Sequence, residues 1–260
     1  TEPLSINFLK ISNLTSFLCI ISVTSNISIG FLKSGLSVPY FNIEFLYVIF
    51  LNGVLETIFS QLFIEFGKGK TVSKNPFRKI TYKDSMLKYG TDKPDLRNPI
   101  EIFDVTEVMM RDDVKLDIFK KSIGSGAVVR AIPAPNTSSK PRSFFDGYND
   151  WAKEEGAKGL GYIQIEKNKN KLIGKGPIGK FFSEKAIIEL VKICKLKEND
   201  AVFFSSDKIK EVEKISGLVR QKLGKDLNLI NNKKFEFCWI TDFPMYQYDE
   251  EEKKIDFSHN

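Results

Sequence analysis

Three stretches of the sequence combine residue types that could bind anions or metal ions. The first, GKGPIGK at 174–180, matches the pattern G-x-G-x-x-G-K, in which glycines let backbone N–H groups approach a phosphate at a helix N-terminus. The match is weak, because Pro177 lacks an N–H where such a cradle needs donors and no convincing βαβ unit surrounds the segment. The favoured interpretation is a turn that precedes a helix.

The other two stretches are charged runs, which are more typical of solvated turns than of binding sites. EKNKNK at 166–171, together with Lys175, Lys180 and Lys185, could contact the phosphate backbone of a tRNA. It lacks interleaved aromatic side chains, so a solvated hairpin tip is favoured. DEEEKK at 249–254 clusters carboxylates, but a polar turn between two strand-like runs does not hold metal ligands rigidly.

Single residues give weaker indications of a binding or catalytic site than these stretches do. His259 is the one histidine of the chain, so catalysis that needs several histidines and a histidine-rich metal site are excluded. A lone histidine is more often structural than functional. Asp242 ends a strand-like run before Phe-Pro and is predicted to cap a turn. Asp92 and Arg97 are compatible with a surface ion pair of small energetic consequence.

Composition narrows the class of protein. The 260 residues are 42% hydrophobic, enough for one large domain or two modest ones. The net charge of +6 is compatible with nucleic-acid binding but too small to establish it. Cys19, Cys194 and Cys238 are odd in number, far apart and never in a CxxC pair. This argues against a disulfide framework or zinc site and for reduced thiols in the cytosol.

The N-terminal part is poor in charge and contains apolar runs at 14–23 and 45–51. Neither run approaches the roughly 20 apolar residues that span a bilayer. Their β-branched and aromatic content favours buried strands. Membrane association through residues 1–51 stays open as an alternative.

Apolar spacing, glycines and capping residues predict a mixture of helices and strands. The predicted strands cover 41–50, followed by an Asn52-Gly53 turn, and 100–105, 127–132, 160–165, 201–204 and 237–241. The predicted helices cover 54–66, 82–87, 144–155, 183–194 and 208–223, the last of them ended by Gly224. Because strands and helices do not strictly alternate, the pattern favours an α+β architecture with an antiparallel sheet.

The segment FRKITYKDSMLKYGTDKPDLRNPIEIFDVTEV at 77–108 resembles bacterial-type aspartyl-tRNA synthetase, a class II aminoacyl-tRNA synthetase. In that family a similar segment leads from the catalytic core into an inserted domain. The resemblance continues, in order, through AIPAP at 131–135, GAKGLGYIQI at 156–165, GPIGKFFS at 176–183, DAVFFSSD at 200–207, GLVRQKLGKDLNLI at 217–230 and WITDFPMYQYDEEEKKIDFSHN at 239–260.

The resemblance implies an antiparallel-sheet insertion, the GAD domain, attached to an incomplete class II catalytic core. Residues 1–76 would be a core segment, 77–99 a connector acting as a hinge, 100–229 the inserted domain and 230–260 the return into the core. In the connector, prolines stiffen the backbone and Gly90 allows the turn.

The resemblance also implies a function. The parent enzyme activates L-aspartate with ATP, with Mg²⁺ present, and transfers it to tRNA(Asp), with tRNA(Asn) left open. It would be a cytoplasmic homodimer with no membrane association. The family carries a histidine soon after its Asp-Phe-Pro strand that contacts the aspartate substrate, and His259 occupies that position. No catalytic, ATP-binding or metal-binding residue is identifiable in this chain.

The sequence departs from the family in three respects. Its first arginine is Arg78, so the arginine of the second class II motif has no counterpart, and neither have the N-terminal anticodon-binding barrel and the third motif. Residues 1–40 match nothing clear in the family and are compatible with a truncated or mistranslated gene end. The chain is therefore expected to be a fragment that is inactive alone and binds neither ATP nor Mg²⁺ tightly. A non-catalytic module that binds tRNA or a protein partner is a second alternative.

Overall fold

The computed structural model describes residues 43–169, 171–249 and 253–257. The chain divides into two units, Thr1–Val54 and Leu55–Asn260. The helices of eight or more residues are α1 (Ile43–Phe66), α2 (Tyr82–Tyr89), α4 (Asp117–Gly124), α5 (Arg142–Glu154), α6 (Glu184–Ile193) and α7 (Ile209–Asp226), and α3 (Thr106–Met110) is shorter.

The strands belong to one large sheet and to three separate pairs. The large sheet contains β3 (Phe103–Asp104), β4 (Val128–Ala134), β5 (Gly161–Asn168), β6 (Lys171–Lys175) and β7 (Ala201–Asp207). The pairs are formed by β1 (Thr71–Val72), β2 (Arg78–Thr81), β8 (Lys234–Phe235), β9 (Cys238–Thr241), β10 (Tyr246–Asp249) and β11 (Lys254–Phe257).

The large sheet is antiparallel throughout, with strand order β3-β4-β7-β5-β6. Both of its faces are buried, because successive side chains of a strand point to opposite sides. In β4, Val129 and Ala131 pack with α3, α4 and α6, whereas Ile132 and Ala134 pack with α5 and α7. The result is a sheet covered by helices on both faces. This confirms the predicted antiparallel sheet within a mixed helix and sheet fold.

Two parallel strand pairs lie outside the large sheet. Strand β2 pairs with β9 in the register Arg78 to Cys238 through Thr81 to Thr241, and β1 pairs with β8. The chain thus leaves β2, builds the large sheet and returns beside β2, as an insertion would. The described residues do not by themselves establish the class II core to which the resemblance attaches it.

Capping residues are where the sequence predicts them. Thr81 Oγ1 accepts a hydrogen bond of 3.1 Å from the Asp84 N–H at the start of α2, and Gly90 ends that helix in the left-handed region at φ 68°. Ser183 Oγ accepts a hydrogen bond of 3.0 Å from the Ala186 N–H and caps α6.

The predicted strand over 41–50 and the turn at Asn52-Gly53 are wrong for residues 43–53, which belong to α1; residues 41 and 42 lie outside the described residues. An apolar run without polar alternation does not distinguish a strand from a buried helix, and a single glycine costs a helix only about 1 kcal/mol. Helix α7 likewise continues past Gly224 to Asp226. The predicted strand over 100–105 is only Phe103–Asp104.

Candidate functional site

His259, on which the sequence places substrate binding, lies outside the described residues. The elements that lead to it are described. Strand β9 runs parallel to β2, so Thr81 and Thr241 end the two strands at the same edge. The chain then turns through Asp242 into the hairpin of β10 and β11, whose register pairs Tyr246 with Phe257.

Asp242 follows β9 directly at this edge, at the position where the sequence predicts that it caps a turn. Its backbone lies in the left-handed region at φ 58°, which Asp tolerates better than most residues. Its carboxylate accepts a hydrogen bond of 3.1 Å from Thr241 Oγ1. The next residue, Phe243, places its ring 5.2 Å from that of Tyr82, the first residue of α2.

Strand β9 is anchored on its other side by a buried carboxylate. The indole N–H of Trp239 donates to Glu56 Oε1 at 2.7 Å, and Glu56 is only 4% exposed. Beside it, the rings of Phe63 and Phe77 lie 4.8 and 5.0 Å from that of Phe237. These contacts fix β9 against the last turns of α1.

A cavity of about 490 Å³ opens between α2, the connector and α7. Tyr82, the residue that contacts Phe243, lines it, and so do Asp92, Lys210 and Lys214. Burial, followed by the charges of Asp92 and Glu213, raises the pKa of the Tyr82 phenol above its usual value. The cavity therefore offers charges of both signs beside the strand end that leads toward His259.

The acid that pairs with Arg97 is Asp95, and not the Asp92 that the sequence suggested. Arg97 Nε and Nη2 donate to the two carboxylate oxygens of Asp95 at 2.9 and 2.8 Å. These hydrogen bonds hold the pKa of Asp95 below its usual range. The pair is close in the chain and forms within the connector, which leaves Asp92 to line the cavity.

The glycines of GKGPIGK serve packing, which bears out the favoured turn. A Cβ on Gly179 would lie 2.8 Å from the Gly174 carbonyl oxygen, and one on Gly174 would lie 2.5 Å from Ile187 Cδ1. The segment forms the end of β6, a turn and a short 3-10 helix, Gly179–Phe181. The small residues are therefore explained without a phosphate.

The basic run at 166–171 forms the end of the β5–β6 hairpin, and its charge is largely balanced nearby. Lys175 pairs with Glu166 at 2.6 Å, Lys171 with Glu184 at 2.6 Å and Lys167 with Glu198 at 3.9 Å. Exposed pairs of this kind contribute little to stability. They do, however, reduce the positive field that a nucleic acid would meet.

Metal and thiol chemistry find little support in the described part of the chain. It brings together no group of three His, Cys, Asp or Glu side chains that could hold a metal ion, although residues 250–252 of the acidic run fall outside it. Cys194 and Cys238 are free thiols. Burial raises the pKa of Cys194 to about 12, so this thiol is poorly reactive at neutral pH.

Sequence reasoning did not single out Arg220, the largest fully buried side chain among the described residues. A signal was present, because Gly217, Arg220 and Gly224 recur at helical spacing within the amphipathic α7. Small residues and a cation along one stripe of such a helix indicate close approach to a polar backbone rather than to solvent.

Comparison with known families first defines the class of domain. Residues 119–216 match the family described as GAD domain. That range runs from α4 to the middle of α7 and includes four of the five strands of the large sheet. The antiparallel sheet with its covering helices is therefore a GAD domain.

Comparison with curated proteins then defines the family more closely. The chain is 49% identical over 207 residues to the aspartate–tRNA(Asp/Asn) ligase of Pelagibacter ubique, which covers 80% of this chain and 34% of that protein. The ligases of Methylocella silvestris and Wolbachia pipientis are each 50% identical, and the matches cover 79% and 80% of this chain and 33% and 34% of theirs.

Over about four fifths of its length the chain is similar to aspartyl-tRNA synthetases, and it spans about a third of the length of these curated relatives. A hypothetical protein of known structure from Pyrococcus horikoshii covers 40% of the chain at 21% identity. Its TM-score of 0.29 is too low to indicate a shared fold.

Proposed function

We propose that this chain supplies the GAD domain and the adjoining core strands of an enzyme that ligates L-aspartate to tRNA. The observation that carries the proposal is the identity of 49–50% over about four fifths of the chain to three aspartate–tRNA(Asp/Asn) ligases, together with the GAD domain match. The return of β9 beside β2, with the large sheet between them in sequence, supports it.

The substrates of the proposed enzyme are L-aspartate, ATP and tRNA(Asp). The printed names of the relatives include both tRNA(Asp) and tRNA(Asn), which supports tRNA(Asn) as a second acceptor. Such an enzyme would be a cytoplasmic homodimer. It uses Mg²⁺ with ATP, but the described residues bring no three metal-binding side chains together, so no step through Mg²⁺ is assigned to them.

We assign contact with the aspartate carboxylate to His259. An imidazole can donate a hydrogen bond to a carboxylate and, when protonated, neutralise it. The proposal is supported by the family position of this histidine after the Asp-Phe-Pro strand. It is also supported by the turn at Asp242, which directs the chain from β9 into the hairpin that precedes His259.

The function can be tested with a chimeric ligase. Residues 77–260 of this chain would replace the corresponding segment of the Methylocella silvestris enzyme, and aspartylation of tRNA(Asp) and tRNA(Asn) would be measured. We expect kcat/KM for tRNA within about tenfold of the parent enzyme. A matched chimera with the corresponding Pelagibacter ubique segment, from a ligase 49% identical to this chain, controls for the effect of segment exchange itself. A folded chimera that charges neither tRNA, while the control chimera does, contradicts the proposal.

The same chimera tests His259. Replacing His259 with Ala removes a hydrogen bond to a charged group, worth about 1.5–3 kcal/mol, so KM for aspartate should rise about 10- to 100-fold while KM for ATP stays constant. The exposed Lys253→Ala serves as the matched control. An unchanged KM for aspartate would remove His259 from the binding site.

The isolated 260-residue chain is proposed to be inactive. Its sequence contains no arginine before Arg78 to stabilise the ATP phosphates, and charge stabilisation is usually the largest contribution to such catalysis. Aspartate-dependent pyrophosphate exchange by the purified chain would refute this.

The two alternatives find less support. Local ion pairs engage Lys167, Lys171 and Lys175 of the β5–β6 hairpin, which weakens the case for a separate tRNA-binding module. Among the described residues no helix is both long and apolar enough to cross a membrane.

A further inference from the structure

Helix α7 of the GAD domain carries a stripe that faces the connector loop, residues 88–99 of the predicted connector 77–99. The stripe consists of Gly217, Arg220 and Gly224, which lie on one side of the helix because they are three and four residues apart. All three are buried. Two glycines on either side of a buried arginine let the connector backbone approach the helix closely.

Arg220 is 0% exposed and donates to three carbonyl oxygens. Its Nε donates to the carbonyl of Ile100 at 2.6 Å, and its Nη2 donates to those of Asp95 and Asn98, both at 2.9 Å. The guanidinium carbon lies 4.8 Å from the centre of the Tyr89 ring. One side chain therefore contacts both the last residue of α2 and the far end of the connector.

Arg220 binds backbone carbonyls through Nε and Nη2, its buried Nη1 has no hydrogen-bond partner, and it forms no ion pair among the described residues. The carboxylate of Asp95, whose carbonyl accepts from Arg220, binds Arg97 instead. Burial lowers the pKa of the Arg220 guanidinium, while Tyr89, Asp95 and Glu101 act in the opposite direction. Because an arginine stays protonated in proteins, the buried cation depends on these carbonyls.

The connector also forms hydrogen bonds and close contacts to the backbone of α7. Asn98 Nδ2 donates to the Arg220 carbonyl at 2.9 Å, and Asn98 Oδ1 accepts from the Ile100 N–H at 3.1 Å. Gly90 and Gly217 touch, since a Cβ on Gly217 would lie 2.6 Å from the Gly90 carbonyl oxygen. A Cβ on Gly224 would clash with Asn98 Nδ2. Contacts therefore occur at both ends of the connector.

We propose that Arg220 is a positioning residue that fixes the connector onto α7, so that the GAD domain moves as one body with α2 and β2. In this proposal the connector is a rigid link between α2 and the GAD domain, and not the hinge that its prolines and glycine suggested. This inference concerns the chain's own mechanics and holds or fails independently of the proposed ligase activity.

Arginine suits this role better than lysine. Its planar guanidinium presents several N–H donors in a fixed fork, whereas a lysine ammonium is a compact point charge on a flexible stem. An Arg220→Lys substitution keeps the positive charge but cannot reach the carbonyls of Ile100, Asp95 and Asn98 from the same directions. The Arg220→Lys variant therefore distinguishes the effect of the guanidinium geometry on the connector from the effect of the positive charge.

The proposal is tested by hydrogen exchange on the 260-residue chain. In the wild type, the amides of Ile100 and Ile102, which donate to Asn98 Oδ1 and to the Lys88 carbonyl, should be as protected as those of β4 and β7. Rapid exchange of these two amides in the wild type would overturn the proposal without any variant.

In Arg220→Lys we expect the exchange of Asn98, Ile100 and Ile102 to accelerate at least about tenfold while β4 and β7 stay unchanged. The matched control is Arg142→Lys, because the Arg142 side chain is 80% exposed; it should leave both regions unchanged. If exchange accelerated equally in the connector and in β4 and β7, Arg220 would only stabilise the domain as a whole. If exchange did not accelerate at all, Arg220 would not be needed to hold the connector. Either result overturns the proposal.

Asn98→Ala provides the same test if Arg220→Lys does not fold, since it removes two connector hydrogen bonds and keeps the arginine. The orientation of α2 relative to the GAD domain can be measured as a distance between two spin labels. The labels are attached at the exposed positions 83 in α2 and 192 in α6, in a variant that lacks the three native cysteines. A single narrow distribution should broaden in the Arg220→Lys or Asn98→Ala variant. An equally narrow distribution there would refute the positioning role.

Discussion

At the residue scale, Tyr148 shows how a polar group is buried between α5 and α7. Its hydroxyl donates to Asp226 Oδ2 at 2.7 Å, and the Lys222 ammonium lies 3.1 Å from the same oxygen. Burial, and then Asp226, raise the pKa of the Tyr148 phenol far above its usual value. The phenol thus stays protonated and serves as a hydrogen-bond donor.

Tyr148→Phe should lower the free energy of unfolding by about 1.5–3 kcal/mol, because it removes one hydrogen bond to a charged acceptor and keeps the ring. Urea unfolding measures the change. Tyr246→Phe, at a position that is 54% exposed, is the control and should have no effect. An unaltered midpoint for Tyr148→Phe would show that the hydrogen bond to Asp226 contributes nothing.

Glu213 is a second residue whose environment predicts a measurable effect. Burial raises its pKa above the ordinary value of 4.5, and Arg130 acts in the opposite direction but does not cancel the effect. The folded state therefore binds the proton more tightly than the unfolded state does. It follows that stability falls as pH rises from 4.5 through the folded-state pKa.

Glu213→Gln should therefore be more stable than the wild type at pH 7, and the difference should disappear below pH 4.5, where both states of the wild type are protonated. Urea midpoints at pH 7 and pH 3.5 test this. A variant that is less stable at pH 7 would mean that attraction to Arg130 outweighs the cost of burial.

At the element scale, the hairpin of β5 and β6 packs so closely on α6 that residue size at one position decides the contact. A Cβ on Gly174 would lie 2.5 Å from Ile187 Cδ1 and 2.9 Å from Ile163 Cγ2. Gly147 in α5 offers the opposite case, because a Cβ there would meet nothing within 4 Å.

Gly174→Ala should destabilise the domain by about 1–3 kcal/mol through overpacking. Gly147→Ala should stabilise it by about 0.5–1 kcal/mol, because alanine is the better helix former. Thermal or urea unfolding of the two variants gives opposite shifts. Shifts of the same sign would contradict the close packing of β6 against α6.

At the scale of the whole molecule, both hydrophobic cores of the large sheet are built from residues between 100 and 229. These are the bounds that the sequence predicts for the inserted domain. A domain with its own cores on both faces of a sheet can fold alone. The contribution of the connector to the stability of this domain can then be measured separately.

We predict that residues 100–229 fold cooperatively alone, and that residues 88–229 are more stable by at least about 2 kcal/mol. The longer version restores the Asp95 and Asn98 carbonyls to Arg220, and hydrogen bonds to charged groups contribute about 1.5–3 kcal/mol each. Urea unfolding of the two versions measures the difference. Equal stabilities would argue against the docking of the connector.

The sequence by itself determined the features that depend on neighbours in the chain. Thr81 and Ser183 cap their helices because a side-chain oxygen reaches an N–H three residues on, and the amphipathic spacing of α5 to α7 follows the helix repeat. The ordered family motifs likewise predicted the GAD domain, whereas the contact of His259 with aspartate stays a prediction. Local geometry and inherited motifs require no knowledge of distant contacts.

Only the tertiary structure decided what depends on distant residues. It decided that residues 43–50 continue a helix, that Gly224 lies inside α7, and that Arg220 binds the connector 122 to 125 positions away. The physical reason is that a glycine permits many conformations and a buried arginine can take many partners. The choice among them is made by the surface that packs against each residue, and this surface comes from elsewhere in the chain.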